Sequence, residues 1–196
     1  MAREFGVAVG TLRKALAEVA ARGLLVRRQG SGNYVRRNDR SVGVYGFLHL
    51  ELLGGGGMPG ARTLDVRRCT APEEAPWREA WRIRRMRRLN ETPAALEEIW
   101  IDSRHAARLE ADDLPETLYR HYAAAFSLWI ARVEDRVSSG HCPDWSPPEF
   151  PLEPRSPCGH VLRRAESRER RVEEVSRTWF DPAVSAYVAR WSEDAR

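Results

Sequence analysis

Between residues 9 and 22 the apolar positions Val9, Leu12, Leu16 and Val19 recur at i, i+3, i+7 and i+10, a single helical stripe. Thr11, Arg13, Lys14, Glu18 and Arg22 occupy the other faces, and Gly23 reads as the C-cap. Leu24–Arg28, a glycine-rich tip at Gln29-Gly30-Ser31-Gly32, and Asn33–Arg36 then read as a β-hairpin. Further along, period two takes over. Trp81, Ile83, Arg85, Arg87 and Leu89 share one face of a strand, and Arg82, Arg84, Met86 and Arg88 share the other, which reads as solvated. Asn90–Pro93 reads as a turn, and a second strand over residues 94–101 carries Ala95, Glu97, Ile99 and Ile101 on one face. A three-residue loop sets Glu97 opposite Arg85.

Beyond that hairpin the pattern predicts a helix over 115–125 (Leu118, Tyr122, Ala125) and an extended segment over 127–137. A proline-rich stretch at 147–157 precedes strands at 161–165 and 172–180, and in the last of these Glu173 shares its face with Val175, Arg177 and Trp179. Gly54–Gly57 lacks the Lys-Ser/Thr of a phosphate-binding loop and reads as a hinge.

Charge divides the chain. Residues 1–40 carry nine Lys/Arg against three acids, whereas the remainder carries 23 against 25. A short basic segment ahead of a near-neutral body points to a reader of nucleic acid or another anionic surface joined to a second domain. Seven Trp and 42% hydrophobic residues supply a core, which excludes wholesale disorder. No apolar run reaches the ~18 residues of a bilayer span. Three cysteines cannot make a disulfide framework, so the expected setting is reduced and cytoplasmic, without a membrane.

Two arginines on an otherwise apolar strand face are costly unless paired. One reading is a buried Arg85–Glu97 ion pair. The other is an anion pocket, because one carboxylate cannot satisfy two guanidiniums. The two are compatible. His141-Cys142 and Cys158-Gly159-His160 lack the spacing of a zinc knuckle, Cys69 has no base partner, and Asp112-Asp113 suits a helix start. No metal, cofactor or catalytic residue is expected.

The wording of Ala2-Arg3-Glu4-Phe5-Gly6-Val7, Thr11–Leu16, Gly23-Leu24-Leu25 and Arg27–Val35 resembles the winged helix-turn-helix of GntR-family transcription regulators. The resemblance implies a recognition helix at 8–22, the tail of the preceding helix at 2–5 and a wing at 24–36. DNA contacts would then come from Thr11, Arg13 and Lys14 and, in the wing, Arg27, Arg28, Gln29, Gly30, Ser31, Gly32 and Asn33. The family has a further helix upstream and usually Ser-Arg where this chain reads Ala8-Val9. A start site placed too late, and weak operator binding by residues 1–196 alone, are expected from those departures.

Arg85-Met86-Arg87-Arg88-Leu89-Asn90-Glu91-Thr92-Pro93-Ala94-Ala95-Leu96-Glu97, with Thr117-Leu118-Tyr119 and Val172-Glu173, is similar to the UTRA effector domain of the HutC subgroup. That resemblance implies an α+β fold: a partial winged helix followed by a chorismate-lyase-like antiparallel sheet with packed helices. The implied domains are 1–36, a linker at 37–44, and 45–192. It implies that Arg85 and Arg87 hold the anionic group of a small effector, with Thr117 and Tyr119 offering hydroxyls. Glu97 and Glu173 would accept hydrogen bonds, and Arg62 would join them. Trp179-Phe180-Asp181-Pro182 departs from the family's usual Arg and Tyr, and an aromatic wall there suits a flatter, less polar acid. The expectation is a ligand-responsive homodimer on operator DNA. The alternatives are an enzyme of the same fold acting on a small anion, or a truncated effector-binding protein without DNA binding.

Overall fold

In a computed structural model of the chain, the residues described are 6, 8–21, 25–28, 32–35 and 49–190. The chain divides into two compact units, Met1–Gly46 and Phe47–Arg196.

In the first unit the apolar stripe forms helix α1 (Val9–Ala21), which packs against strand β1 (Leu25–Arg28). β1 pairs antiparallel with β2 (Gly32–Val35), Leu25 opposite Val35 and Arg28 opposite Gly32. Leu12 and Leu16 are half-buried, whereas Val9 is exposed. The tip residues Gln29, Gly30 and Ser31 and the linker 37–44 lie outside the described residues.

The second unit is built on one antiparallel sheet of six strands. They are β4 (Pro59–Thr70), β5 (Glu79–Leu89), β6 (Thr92–Asp102), β7 (Ile130–His141), β8 (Pro157–Ser167) and β9 (Val172–Phe180), in the spatial order β4-β5-β6-β9-β8-β7. β3 (Leu50–Leu52) and β10 (Ser185–Tyr187) form a separate two-stranded ribbon, and helix α2 spans Leu118–Phe126. α2 starts after Pro115-Glu116-Thr117 and ends where Ser127 turns left-handed (φ 53°), its N–H bonding the Tyr122 carbonyl.

The β5–β6 hairpin reaches the expected register by another route. Its loop is two residues, Asn90-Glu91, with Asn90 in the left-handed region (φ 56°), which asparagine tolerates. A bulge between Arg87 and Arg88 supplies the missing residue, so Arg85 still faces Glu97.

Residues opposite one another across strands point to the same side, which sorts the core. On one face, Ile83, Ile99 and Ile101 pack under Leu109, Leu114, Leu118, Tyr122 and Leu128. At the other end of that face, Leu89, Ala95, Val161 and Phe180 pack against the ribbon residues Leu50, Leu52 and Tyr187. The second face carries Met86, Leu96 and Trp179 beneath Cys142, Trp145, Phe150 and Leu152.

That second face corrects an expectation. The Arg82/Arg84/Met86/Arg88 side of β5 is not solvated as a whole: Met86 is fully buried and Arg82 nearly so. Arg82 is held by Asp65 and lies near Glu98, while Arg84 donates to Glu98 at 2.8 Å and stacks over Trp145 at 4.7 Å. The 142–152 segment covers the apolar position and carboxylates neutralise the charged ones, leaving only Arg88 substantially in water.

Candidate functional site

Between the two apolar ends of the first face runs a band of buried charge. Arg85 on β5, Glu97 on β6, Glu174 on β9, Arg163 on β8 and Asp135 on β7 follow one another across the sheet. Tyr119 and Tyr122 close over them from α2, and Tyr187 from the ribbon. Arg87 Nε lies 2.8 Å from Glu97 Oε1. Arg85 Nη2 donates to the Glu116 carbonyl at 2.7 Å, beside Thr117 at the start of α2. The Tyr119 hydroxyl donates to Glu174 Oε1 at 2.8 Å. Arg163 grips Asp135 with two bonds of 2.6 Å, and the Tyr187 hydroxyl donates to the same carboxylate at 2.7 Å.

Six buried atoms of this band have no hydrogen-bond partner: Arg85 Nε and Nη1, Arg87 Nε, Glu97 Oε2, the Tyr122 hydroxyl and Glu174 Oε2. A buried donor or acceptor left unpaired costs about 1–3 kcal/mol, and more when charged. The band is therefore unsatisfied as a protein core but well disposed toward a ligand. Arg85, with 1% of its surface exposed, offers two donors to an anion, and the two carboxyls offer acceptors to hydroxyls or an amine.

The electrostatics agree. Burial, reinforced by neighbouring Arg87, makes the Arg85 charge harder to hold and lowers its pKa. Burial also opposes ionisation of Glu97, but Arg87 and Arg85 prevail and hold its carboxyl below the usual range. For Glu174 burial wins: despite the Tyr119 hydrogen bond and the nearby Arg163 charge its pKa is pushed up to about 7. Burial and the nearby Glu174 raise both tyrosines well above the ordinary phenol range.

Arg85, Arg87, Glu97 and Tyr119 are brought together here, with Thr117 at the rim. Arg62 is not. It stands opposite Met86 on the other face and donates to Glu149 at 3.0 Å, because strand alternation sends it away from Arg85. Glu173 is also separated. It points away from Tyr119 and is bound by Arg104 and His105, while the next residue, Glu174, takes the position expected of it. Trp179 packs on the opposite face with Trp145 and His160, and Phe180 is buried against Leu89 and Val161, so the two do not form an aromatic wall. Glu174, Arg163, Asp135, Tyr122 and Tyr187 are additions from the structure. The doublet Glu173-Glu174 was the visible signal, since period two guarantees that one of the pair faces each side.

On α1, Thr11, Arg13 and Lys14 are exposed; Arg27 and Arg28 lie on β1, and Gly32 and Asn33 on β2. Cys142 and Cys158 are both buried core residues. Among the described residues no cluster of three or more His, Cys, Asp or Glu side chains could hold a metal, and no helix is long and apolar enough to cross a membrane.

Residues 56–183 match the UTRA domain. The HTH-type transcriptional regulator SmoD of Agrobacterium fabrum is 45% identical over 194 residues, 97% of this chain and 83% of that protein. This chain belongs to the UTRA-domain regulators of the GntR family. The HTH-type transcriptional repressor NagR of Bacillus subtilis is 26% identical over 145 residues, spanning 69% of this regulator and 60% of NagR. Among solved structures, the ligand-binding domain of a GntR-family transcriptional regulator from Bordetella bronchiseptica has the same fold. It superposes with a TM-score of 0.66 at 23% identity, covering 74% of this chain and 98% of that one. The antiparallel sheet with packed helices is thus the UTRA effector-domain fold.

Proposed function

We propose that this regulator is ligand-responsive and that its effector, a small organic anion bearing hydroxyl or amino groups, occupies the band at Arg85, Glu97 and Glu174. The observation that carries this reading is the cluster of four buried, unpartnered polar atoms on those three side chains. The effector's carboxylate or phosphate takes the two free donors of Arg85, and Arg87, fixed by Glu97, adds charge behind them. Its hydroxyl or amino groups donate to Glu97 Oε2 and Glu174 Oε2, with Thr117 and Tyr119 at the α2 side.

In the first unit, Thr11, Arg13 and Lys14 of α1 enter a major groove. Arg27, Arg28, Gln29, Gly30, Ser31, Gly32 and Asn33 approach the backbone as the wing. A homodimer presents two such readers to operator half-sites about one helical turn, ~34–36 Å, apart. The effector acts by changing their affinity for that spacing, which makes the protein a sensor and not an enzyme.

Thermal unfolding of the purified chain with a panel of hydroxy acids, amino acids and sugar phosphates tests the site. An effector at a hundred times its Kd stabilises by about 2.7 kcal/mol and is recovered chemically unchanged. Arg85→Met removes the two free donors and abolishes the ligand shift, while Arg87 still pairs Glu97, so the free variant keeps a cooperative melting transition. A shift that survives Arg85→Met moves the site elsewhere, and consumption of the compound turns the sensor into an enzyme.

A further inference from the structure

A cavity of about 500 Å³ opens at the end of the sheet, where the β8–β9 turn meets the loop after β6 and the junction of α2 with β7. Its floor is Glu173, 98% buried and approached by two arginines and a histidine. Arg104 hydrogen-bonds it, His105 Nε2 lies 2.9 Å away, and Arg171 Nε lies 3.6 Å from its other oxygen. One carboxylate thus positions three cationic or ionisable groups without neutralising them all. Arg104 and Arg171 keep half or more of their side chains in the open. At the wall, Trp129 is 55% exposed, an unusual cost for an indole, and the Arg168 guanidinium stacks 5.2 Å from its ring centroid. Glu169 stands at the rim beside Arg168 and Arg171, whose charges favour its ionised form.

We infer that this cavity is a second ligand site, specific for a planar organic anion whose ring lies on Trp129 and whose charge is held by Arg168 and Arg171. Three observations converge on that class. The volume falls within the range of small-molecule sites and far exceeds a bare inorganic ion. The lining sets three arginines and a histidine against two carboxylates, one of them already engaged by three partners. A guanidinium stacked on an exposed indole makes a flat, preorganised platform with outward-pointing N–H groups. None of these residues contributes to the Arg85 band, so the two sites are chemically independent even though Glu173 and Glu174 are neighbours in the chain.

Phenyl phosphate is the probe, with inorganic phosphate and phenol as its two halves, titrated by calorimetry into the full chain and into variants. The expected result is saturable binding of phenyl phosphate, about tenfold or more tighter than either half, and weakened about tenfold by Arg168→Ala and again by Trp129→Ala. Arg168 and Trp129 are exposed, so both variants keep their fold, which unchanged melting confirms. Arg85→Met leaves this binding intact. Absence of saturable binding, equal affinity for inorganic phosphate, or binding lost in Arg85→Met but kept in Arg168→Ala overturns the assignment.

Discussion

A carboxyl group with a pKa of about 7 in the folded chain and about 4.5 in the unfolded one takes up a proton on folding across that interval. Glu174 is such a group. Its contribution to stability is fully present below pH 4.5 and is lost as the pH rises through 7. At about 1.4 kcal/mol per unit this totals about 3 kcal/mol. His49 and His160, whose pKa values burial lowers, act in the opposite sense below their ordinary range, so the wild-type curve alone is a mixture. The difference between wild type and Glu174→Gln isolates the carboxyl: between pH 5 and pH 8 the variant gains about 3 kcal/mol relative to wild type in urea unfolding. A pH-independent difference means that Glu174 titrates as an ordinary carboxylate. The residue also marks a limit of sequence reading. Arg85, Arg87 and Glu97 were legible because apolar neighbours made their charge conspicuous on one strand face. Glu173 and Glu174 are both acidic, and only the pairing of Glu174 with Ile101 and Ala165 decides which one joins them.

Single-residue shifts of this kind are settled at the level of strands. The β5–β6 hairpin was legible because its alternation is strong, and its bulge restored the register that a longer loop would have set. The opposite face of β5 was not legible. Its arginines look solvated in one dimension, while their partners, Asp65 and Glu98, come from two other strands and the cover comes from an aperiodic proline-rich segment. The pairing of β8 with β9 has a similar hidden constraint. Gly159 lies opposite Phe180, and a Cβ on Gly159 would stand 2.2 Å from the Phe180 ring. Neither the strand pattern nor the composition around Cys158-Gly159-His160 announces that contact. Gly159→Ala therefore forces Phe180 out of its packing with Leu89 and Val161 and destabilises the unit by about 2 kcal/mol. In Phe180→Leu the ring is gone and the same glycine substitution costs less, so the double-mutant cycle shows coupling of about 1 kcal/mol or more. Strict additivity would mean that the ring and Gly159 are not in contact.

At the scale of the second unit, the six-stranded sheet and the β3–β10 ribbon differ in how they are secured. The sheet strands are long and share a continuous ladder, whereas each ribbon strand is three residues and, among the described residues, pairs with the other alone. The ribbon is attached to the sheet by the apolar contacts of Leu50, Leu52 and Tyr187 and by two polar links, the buried Ser185 hydroxyl on the Ala94 carbonyl at 3.4 Å and the Tyr187 hydroxyl on Asp135. Asp135 is also the carboxylate that grips Arg163, so the second link joins the ribbon to the charged band across the sheet face. His49 packs on the Tyr187 ring at 5.2 Å, and its carbonyl accepts from the Val188 N–H, which extends the attachment by one residue. Tyr187→Phe keeps the ring, the apolar packing and the His49 contact, and deletes only the bond to a charged acceptor. Such a bond contributes about 1.5–3 kcal/mol. Because the sheet retains its own ladder, the loss falls on the ribbon: amide exchange at Leu50–Leu52 and Ser185–Tyr187 accelerates by about tenfold or more, while β5, β6 and β9 stay as protected as before. Acceleration spread evenly over both would mean that ribbon and sheet open as one cooperative unit, and the separate attachment argued from Asp135 would fall with it.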